Sequence, residues 1–245
     1  SRHNCSSTLR IFFRYAHDNG ITAKNNSIFV MTDNYNKHSK VPTTYDENEI
    51  RRIIASVERS SGIGKRDYLI LLLASEYGWR SSDIVNFRFS HIDWDKNVIN
   101  FSQHKTGMPI EYPLLSSVGN AIIDYLKHGR PVTDAEEIIV SAETAKKGKP
   151  LSTPTVHSIV AKYMRKANIK NWKSKKHGPH SLRHSMATNM LKKNITMPII
   201  STILGHQNTE STKVYLKVDI EKLKQCPLSM PKMYSKHYST GRCEA

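Results

Sequence analysis

The sequence predicts a mainly α-helical fold with a small antiparallel β-sheet inserted early. Three observations carry this reading. Apolar residues recur at helical spacing in several separate stretches. Two short strand-like runs flank a polar turn. Residues suited to helix ends, such as Gly20, Pro198 and Gly205, stand at the borders of the helical stretches.

Taken in order, residues 8–19 carry Leu9, Ile11, Phe12, Tyr15 and Ala16 on one helical stripe, and Gly20 follows as a stop. No helix precedes this one as a packing partner. Residues 31–45 are polar, with Pro42 near their end, and read as a linker. A second block opens near Thr44, with Asp46 and Glu47 at a helix entry and Ile50, Ile53, Ile54 and Val57 as one apolar stripe. Residues 65–77 are apolar over most of their length, which predicts a buried helix. Asn97–Ser102 and Pro109–Leu114 read as strands joined by Gln103–Met108, with Gly107 suited to the turn. Further helices are expected over 116–128, 154–167, 181–193, 197–204 and 210–224. The expected organisation is 1–30, a linker over 31–43, a main domain over 44–226 and a tail over 227–245.

The 245 residues include 37 Lys and Arg against 21 Asp and Glu, a net charge of +16. Such a balance points to a polyanionic partner. The longest apolar run, Tyr68–Ala74, is far short of the roughly 20 residues that span a bilayer, so no membrane association is expected. Cys5, Cys226 and Cys243 are an odd number without zinc-site spacing, which fits a reducing cytosol. There is no Gly-rich phosphate loop. Two basic segments, Lys146–Lys149 and Lys173–His177, read as loops that are either solvated or in contact with phosphates.

Four clusters carry candidate chemistry. In His180-Ser181-Leu182-Arg183-His184, at a helix start, His180 and Arg183 are three apart and share a face. A planar guanidinium beside an imidazole suits a phosphate: one grips two oxygens, the other moves a proton. In Leu204-Gly205-His206, a helix stops and His206 follows; Tyr215 comes nine residues later. In Tyr77–Ile84, Arg80 opens a turn and Asp83 is spaced to hold its guanidinium. Lys105 stands at the hairpin tip. Each cluster alone is commonplace: an exposed helix pair, a packed tyrosine, a surface ion pair, a solvated lysine.

In combination and in this order, Arg80, Asp83, Lys105, His180, Arg183, His206 and Tyr215 resemble the signature of the tyrosine recombinases, or phage integrase family. The resemblance covers about residues 44–226. Trp79 and Asp83 depart from the family's more usual Leu and Glu. The resemblance implies that family's catalytic-domain fold, and it makes residues 1–30 the end of a helical core-binding domain. It implies that Tyr215 attacks a DNA phosphodiester to form a 3′-phosphotyrosine, with Arg80, Arg183 and His206 on the phosphate. His180 would take the tyrosine proton and Lys105 would protonate the leaving 5′ oxygen. No metal, ATP or other cofactor is expected. The implied partners are double-stranded DNA and three further copies of the chain, in a homo-tetramer on paired sites that is monomeric without DNA. The tail, with Leu223, Leu228 and Met230, is expected to dock on a neighbouring subunit.

The expected function is site-specific recombination by the integrase of a mobile element or phage, in a bacterial cytoplasm. Two competing readings are a type IB topoisomerase, which relaxes DNA as a monomer, and a catalytically idle DNA-binding module. The intact set of seven residues argues against the latter.

Overall fold

Helix α1 (Arg2–Asp18) ends where its sequence says it should: Gly20 adopts φ +69°, and the Ile21 N–H returns to the Ala16 carbonyl at 2.8 Å. The computed structural model describes residues 2–31 and 43–205. The chain separates into two compact units, Ser1–Val41 and Pro42–Ala245. In the first, a short 3₁₀ turn over Asn26–Phe29 follows α1, and the Arg10 guanidinium donates to the Val30 carbonyl at 2.7 Å. Ala16 is buried, whereas Ile11, Phe12 and Tyr15 lie more than half exposed, at 68%, 58% and 59%.

The second unit is mainly α-helical with one small antiparallel sheet, as the sequence predicts. Helix α2 (Glu47–Ala55) starts on a capping box: Asp46 accepts the Glu49 N–H at 2.8 Å, and Glu49 accepts the Asp46 N–H at 2.9 Å. Such caps stabilise a helix by about 1 kcal/mol. Helix α3 (Gly62–Glu76) begins three residues before its expected start at residue 65 because Ser61 caps it, accepting the Gly64 N–H at 3.1 Å. Leu69–Ala74 are all buried, and α3 is the central rod of the core. Helix α4 (Ser81–Val85) comes next. Strands β1 (Ile92–Asp93), β2 (Val98–Ser102) and β3 (Pro109–Pro113) form the sheet in that order, with Ile99 opposite Tyr112 and Phe101 opposite Ile110. Helices α5 (Ser116–His128), α6 (Thr153–Lys166) and α7 (Pro179–Lys192) all pack on α3, and α8 (Met197–Leu204) packs on α7.

Two buried aromatic residues pin the segments that bear the candidate chemistry. Trp79 is fully buried; its ring stacks on Tyr77 and meets Phe87 and Phe101 edge-on at 4.9 and 4.8 Å between centroids. The segment between α3 and α4 is therefore held from below. Tyr45, read as the end of a polar linker, is instead buried. Its N–H donates to Ser185 Oγ at 2.8 Å and its hydroxyl to the Lys176 carbonyl at 2.9 Å. Burial of that aromatic ring outweighs the polar character of its neighbours.

The helix expected over 210–224, the tail after 227 and most of the expected linker lie outside the described residues. Among the described residues no helix is long and apolar enough to cross a membrane.

Candidate active site

The segment Gly78–Asp83 supplies the first side chains. Gly78 has φ +64°, and an added Cβ would meet Met186 Sδ at 2.9 Å, so the turn is reserved for glycine. Arg80 is the N-cap of α4 and is half-buried. Asp83 is buried but does not hold the Arg80 guanidinium, the role its spacing suggests. Its carboxylate accepts the Arg80 backbone N–H at 3.3 Å and the His104 backbone N–H at 3.1 Å. A carboxylate at the third helical position naturally turns back to the N-cap amide. Asp83 thus ties the start of α4 to the hairpin that carries Lys105.

The guanidinium is held by Gln103, whose Oε1 accepts from Arg80 Nη1. Gln103 is 1% exposed. The same Oε1 accepts from Thr106 Oγ1 at 3.0 Å, and Nε2 donates to the Leu204 carbonyl at 3.2 Å. Around this buried amide, Gly107 (φ +66°) closes the turn by donating to the Gln103 carbonyl at 2.8 Å. Lys105 stands exposed on that turn.

Helix α7 supplies the second half. Leu182 faces the core, as expected, but Arg183 is also buried, at 1% exposure. Its Nη1 donates to the Gly78 carbonyl at 2.7 Å, and its Nη2 donates to the Leu204 carbonyl. His180, near the N-terminus of α7, is exposed, and its ring stands edge-on to His184 at 4.3 Å. Crowding by surrounding protein, and then the positive charges of Arg183, Arg80, Lys105 and Lys176, hold the His180 imidazole below its ordinary range. The ring keeps an open face, so it remains reachable while staying neutral at pH 7. Gln103 and the Leu204 carbonyl join Arg80 to Arg183, with Lys105 on the turn that Gln103 begins and His180 on the same helix as Arg183.

The last turn of α8 is the meeting point. Helix C-termini leave carbonyls without intrahelical donors. Here the Leu204 carbonyl takes Arg183 and Gln103, while the Ile203 carbonyl takes the Tyr112 hydroxyl at 2.7 Å. Gly205 then adopts φ +59°, and an added Cβ would collide with Ile110 and with Gln103. His206 is the next residue in the chain. His206 and Tyr215 lie outside the described residues.

Tyr112 stands beside both arginines, yet it is a poor nucleophile. Burial pushes its pKa to about 12, and its hydroxyl is committed to the Ile203 carbonyl. Neither Gln103 nor Tyr112 stands out as part of a motif. Strand alternation is the available signal: Ile99 and Phe101 face inward and Gln103 continues that face, as Tyr112 continues the face of Ile110.

Of the basic loops, Lys146, Lys147, Lys149, Lys173 and Lys176 are exposed, whereas Lys175 pairs with Glu49 at 2.6 Å and lies over the Tyr45 ring. That lysine anchors the loop before α7. Among the described residues no His, Cys, Asp and Glu side chains gather in a group of three or more able to hold a metal ion.

Residues 43–222 match the Phage integrase family. Among curated relatives, a putative integrase/recombinase y4gC of Sinorhizobium fredii is 35% identical over 192 residues, which cover 78% of this chain and 97% of the relative. The tyrosine recombinase XerA of Pyrococcus furiosus is 33% identical over 189 residues, or 76% of this chain and 60% of the relative. The chain thus spans nearly all of one relative and little more than half of others. Among solved structures, a lambda integrase dimer bound to a COC′ core site shares the fold at a TM-score of 0.64 and 21% identity, over 87% of this chain and 58% of that one. XerA recombinase shares it at 0.62 and 24%, over 86% and 68%.

Proposed function

The chain belongs to the phage integrase family, and from that premise we propose that it is a site-specific DNA recombinase, cleaving and rejoining duplex DNA through Tyr215. The observation that supports this most is the network around the Leu204 carbonyl. It joins Arg80, Arg183 and the Lys105 hairpin to the turn that leads directly into His206.

A phosphodiester resists attack because its oxygens are anionic and its leaving alkoxide is basic. Arg80 and Arg183 would offset the charge that builds on the non-bridging oxygens, with His206 as a third donor. The N-terminus of α7 adds partial positive charge to the same place. A phenol near pKa ~10 attacks slowly at neutral pH. His180, whose imidazole is held below its ordinary range first by crowding of surrounding protein and then by neighbouring cations, would accept the Tyr215 proton. The Tyr215 oxygen would bond to phosphorus as the bond to the 5′ oxygen breaks, and Lys105 would give that oxygen a proton. A 5′-hydroxyl from the second duplex reverses these steps and restores the backbone. The +16 charge suits a duplex DNA partner. Exchange between two duplexes calls for a tetramer of this chain.

The test uses a nicked duplex that traps the cleaved strand. The wild-type chain should form a covalent adduct that survives a denaturing gel, and Tyr215→Phe should bind the duplex without forming one. Transfer of label between two duplexes is also expected. An adduct in Tyr215→Phe would overturn the assignment. Relaxation of supercoiled DNA without strand exchange would mark a topoisomerase, and binding without any adduct would mark an idle module.

A further inference from the structure

We infer that Gln103 is a positioning residue that sets the spacing of the two phosphate-facing guanidiniums; the inference rests on the reading of Arg80 and Arg183 as phosphate ligands. Arg80 Nη1 bonds Gln103 Oε1, Gln103 Nε2 bonds the Leu204 carbonyl at 3.2 Å, and that carbonyl also takes Arg183 Nη2. One amide and one carbonyl therefore link two arginines from distant parts of the chain. The Asp83 carboxylate fixes only the Arg80 backbone, so Gln103 is what aims the Arg80 side chain.

The chemistry requires an amide at this distance from the backbone. The Oε1 atom must accept, from Arg80 and from Thr106, and Nε2 must donate, to a carbonyl. A glutamate would still accept from Arg80 but would set a second acceptor against the Leu204 carbonyl. Its charge would also hold Arg80 away from a phosphate. A methionine fills the space with neither bond. An asparagine keeps both groups but draws them back by one methylene. Full burial, at 1% exposure, keeps water from replacing a lost bond cheaply.

The experiment compares single-turnover cleavage of the nicked duplex with duplex affinity and thermal unfolding, all on the full chain. Gln103→Met should slow cleavage roughly 10²-fold, the scale of a misplacement near 1 Å, while affinity stays within a few-fold. Gln103→Asn, the gentler change, should fall in the same direction and keeps the test open if Gln103→Met folds poorly. A 5′-bridging sulfur, which leaves without a proton, should rescue Lys105→Ala but not Gln103→Met. On that sulfur substrate the double variant Arg80→Ala/Gln103→Met should cut no more slowly than Arg80→Ala alone, because Gln103 acts through Arg80. Unchanged cleavage in Gln103→Met, loss in step with unfolding temperature, sulfur rescue, or a further drop in the double variant would each overturn the inference. Wild-type cleavage by Arg80→Ala would instead overturn the reading of Arg80, and the inference with it.

Discussion

The two arginines of the candidate site are built in opposite ways. Arg183 projects from the first turns of a 14-residue helix, is 1% exposed, and bonds two main-chain carbonyls from different segments. Arg80 caps a five-residue helix, is half-buried, and has its guanidinium aimed by a single side chain, Gln103. The contrast teaches that the α7 half of the site is part of the fold, whereas the α4 half is an adjustable attachment to it. Removing Arg183 should open the structure. Removing Arg80 should cost chemistry alone.

The largest effect expected is that of Arg183→Lys. A lysine keeps the charge but cannot reach the Gly78 and Leu204 carbonyls together. Losing one buried charge-assisted bond costs about 1.5–3 kcal/mol, so thermal unfolding should move down and cleavage should fall by orders of magnitude. Arg80→Lys should also cut cleavage, by roughly 10²–10³, the scale for one transition-state donor. Its stability should change by less than about 1 kcal/mol, as befits a half-buried surface group. Equal loss of stability in the two variants, measured by thermal unfolding, would erase the distinction.

A smaller effect concerns protons. His180 sits below the ordinary imidazole value of about 6.5, so the folded ring refuses a proton that the unfolded chain accepts. Its contribution therefore carries no penalty above that value and destabilises the fold increasingly as pH drops below it. An imidazole NMR titration of the chain without DNA should give a midpoint under about 6.5. Arg80→Gln removes one of the four neighbouring cations and should move that midpoint upward. A midpoint above the ordinary value, or no response to Arg80→Gln, would mean that the two halves of the site do not share one field.

The parts of this arrangement that are legible in sequence are those with a period or a cap. The stripe Ile50, Ile53, Ile54 and the Asp46 cap announce α2, and the long apolar run announces α3. Strand β1 has two residues and α4 five, too few to show a period. Burial of Arg183 is not legible because helical spacing places it with exposed His180 but says nothing of depth. Gln103 is hidden because it reads as a turn residue, and its decisive partner, Leu204, is 101 positions away. A polar residue that is buried to satisfy distant main-chain groups shows locally only as a position on the inward face of a strand, which does not tell it from a turn residue.

Tyr215, proposed to carry the DNA, has one competitor to be tested among the described tyrosines. Tyr112 lies among the same arginines but is buried, with its pKa pushed to about 12 and its hydroxyl bonded to the Ile203 carbonyl. The most direct measurement is to trap the adduct on a nicked duplex, digest the DNA and protein, and locate the nucleotide remnant by mass spectrometry. A 3′-phosphate remnant is expected on the peptide that contains Tyr215. A remnant on Tyr112 or any other residue, or one attached through a 5′-phosphate, would contradict the assignment.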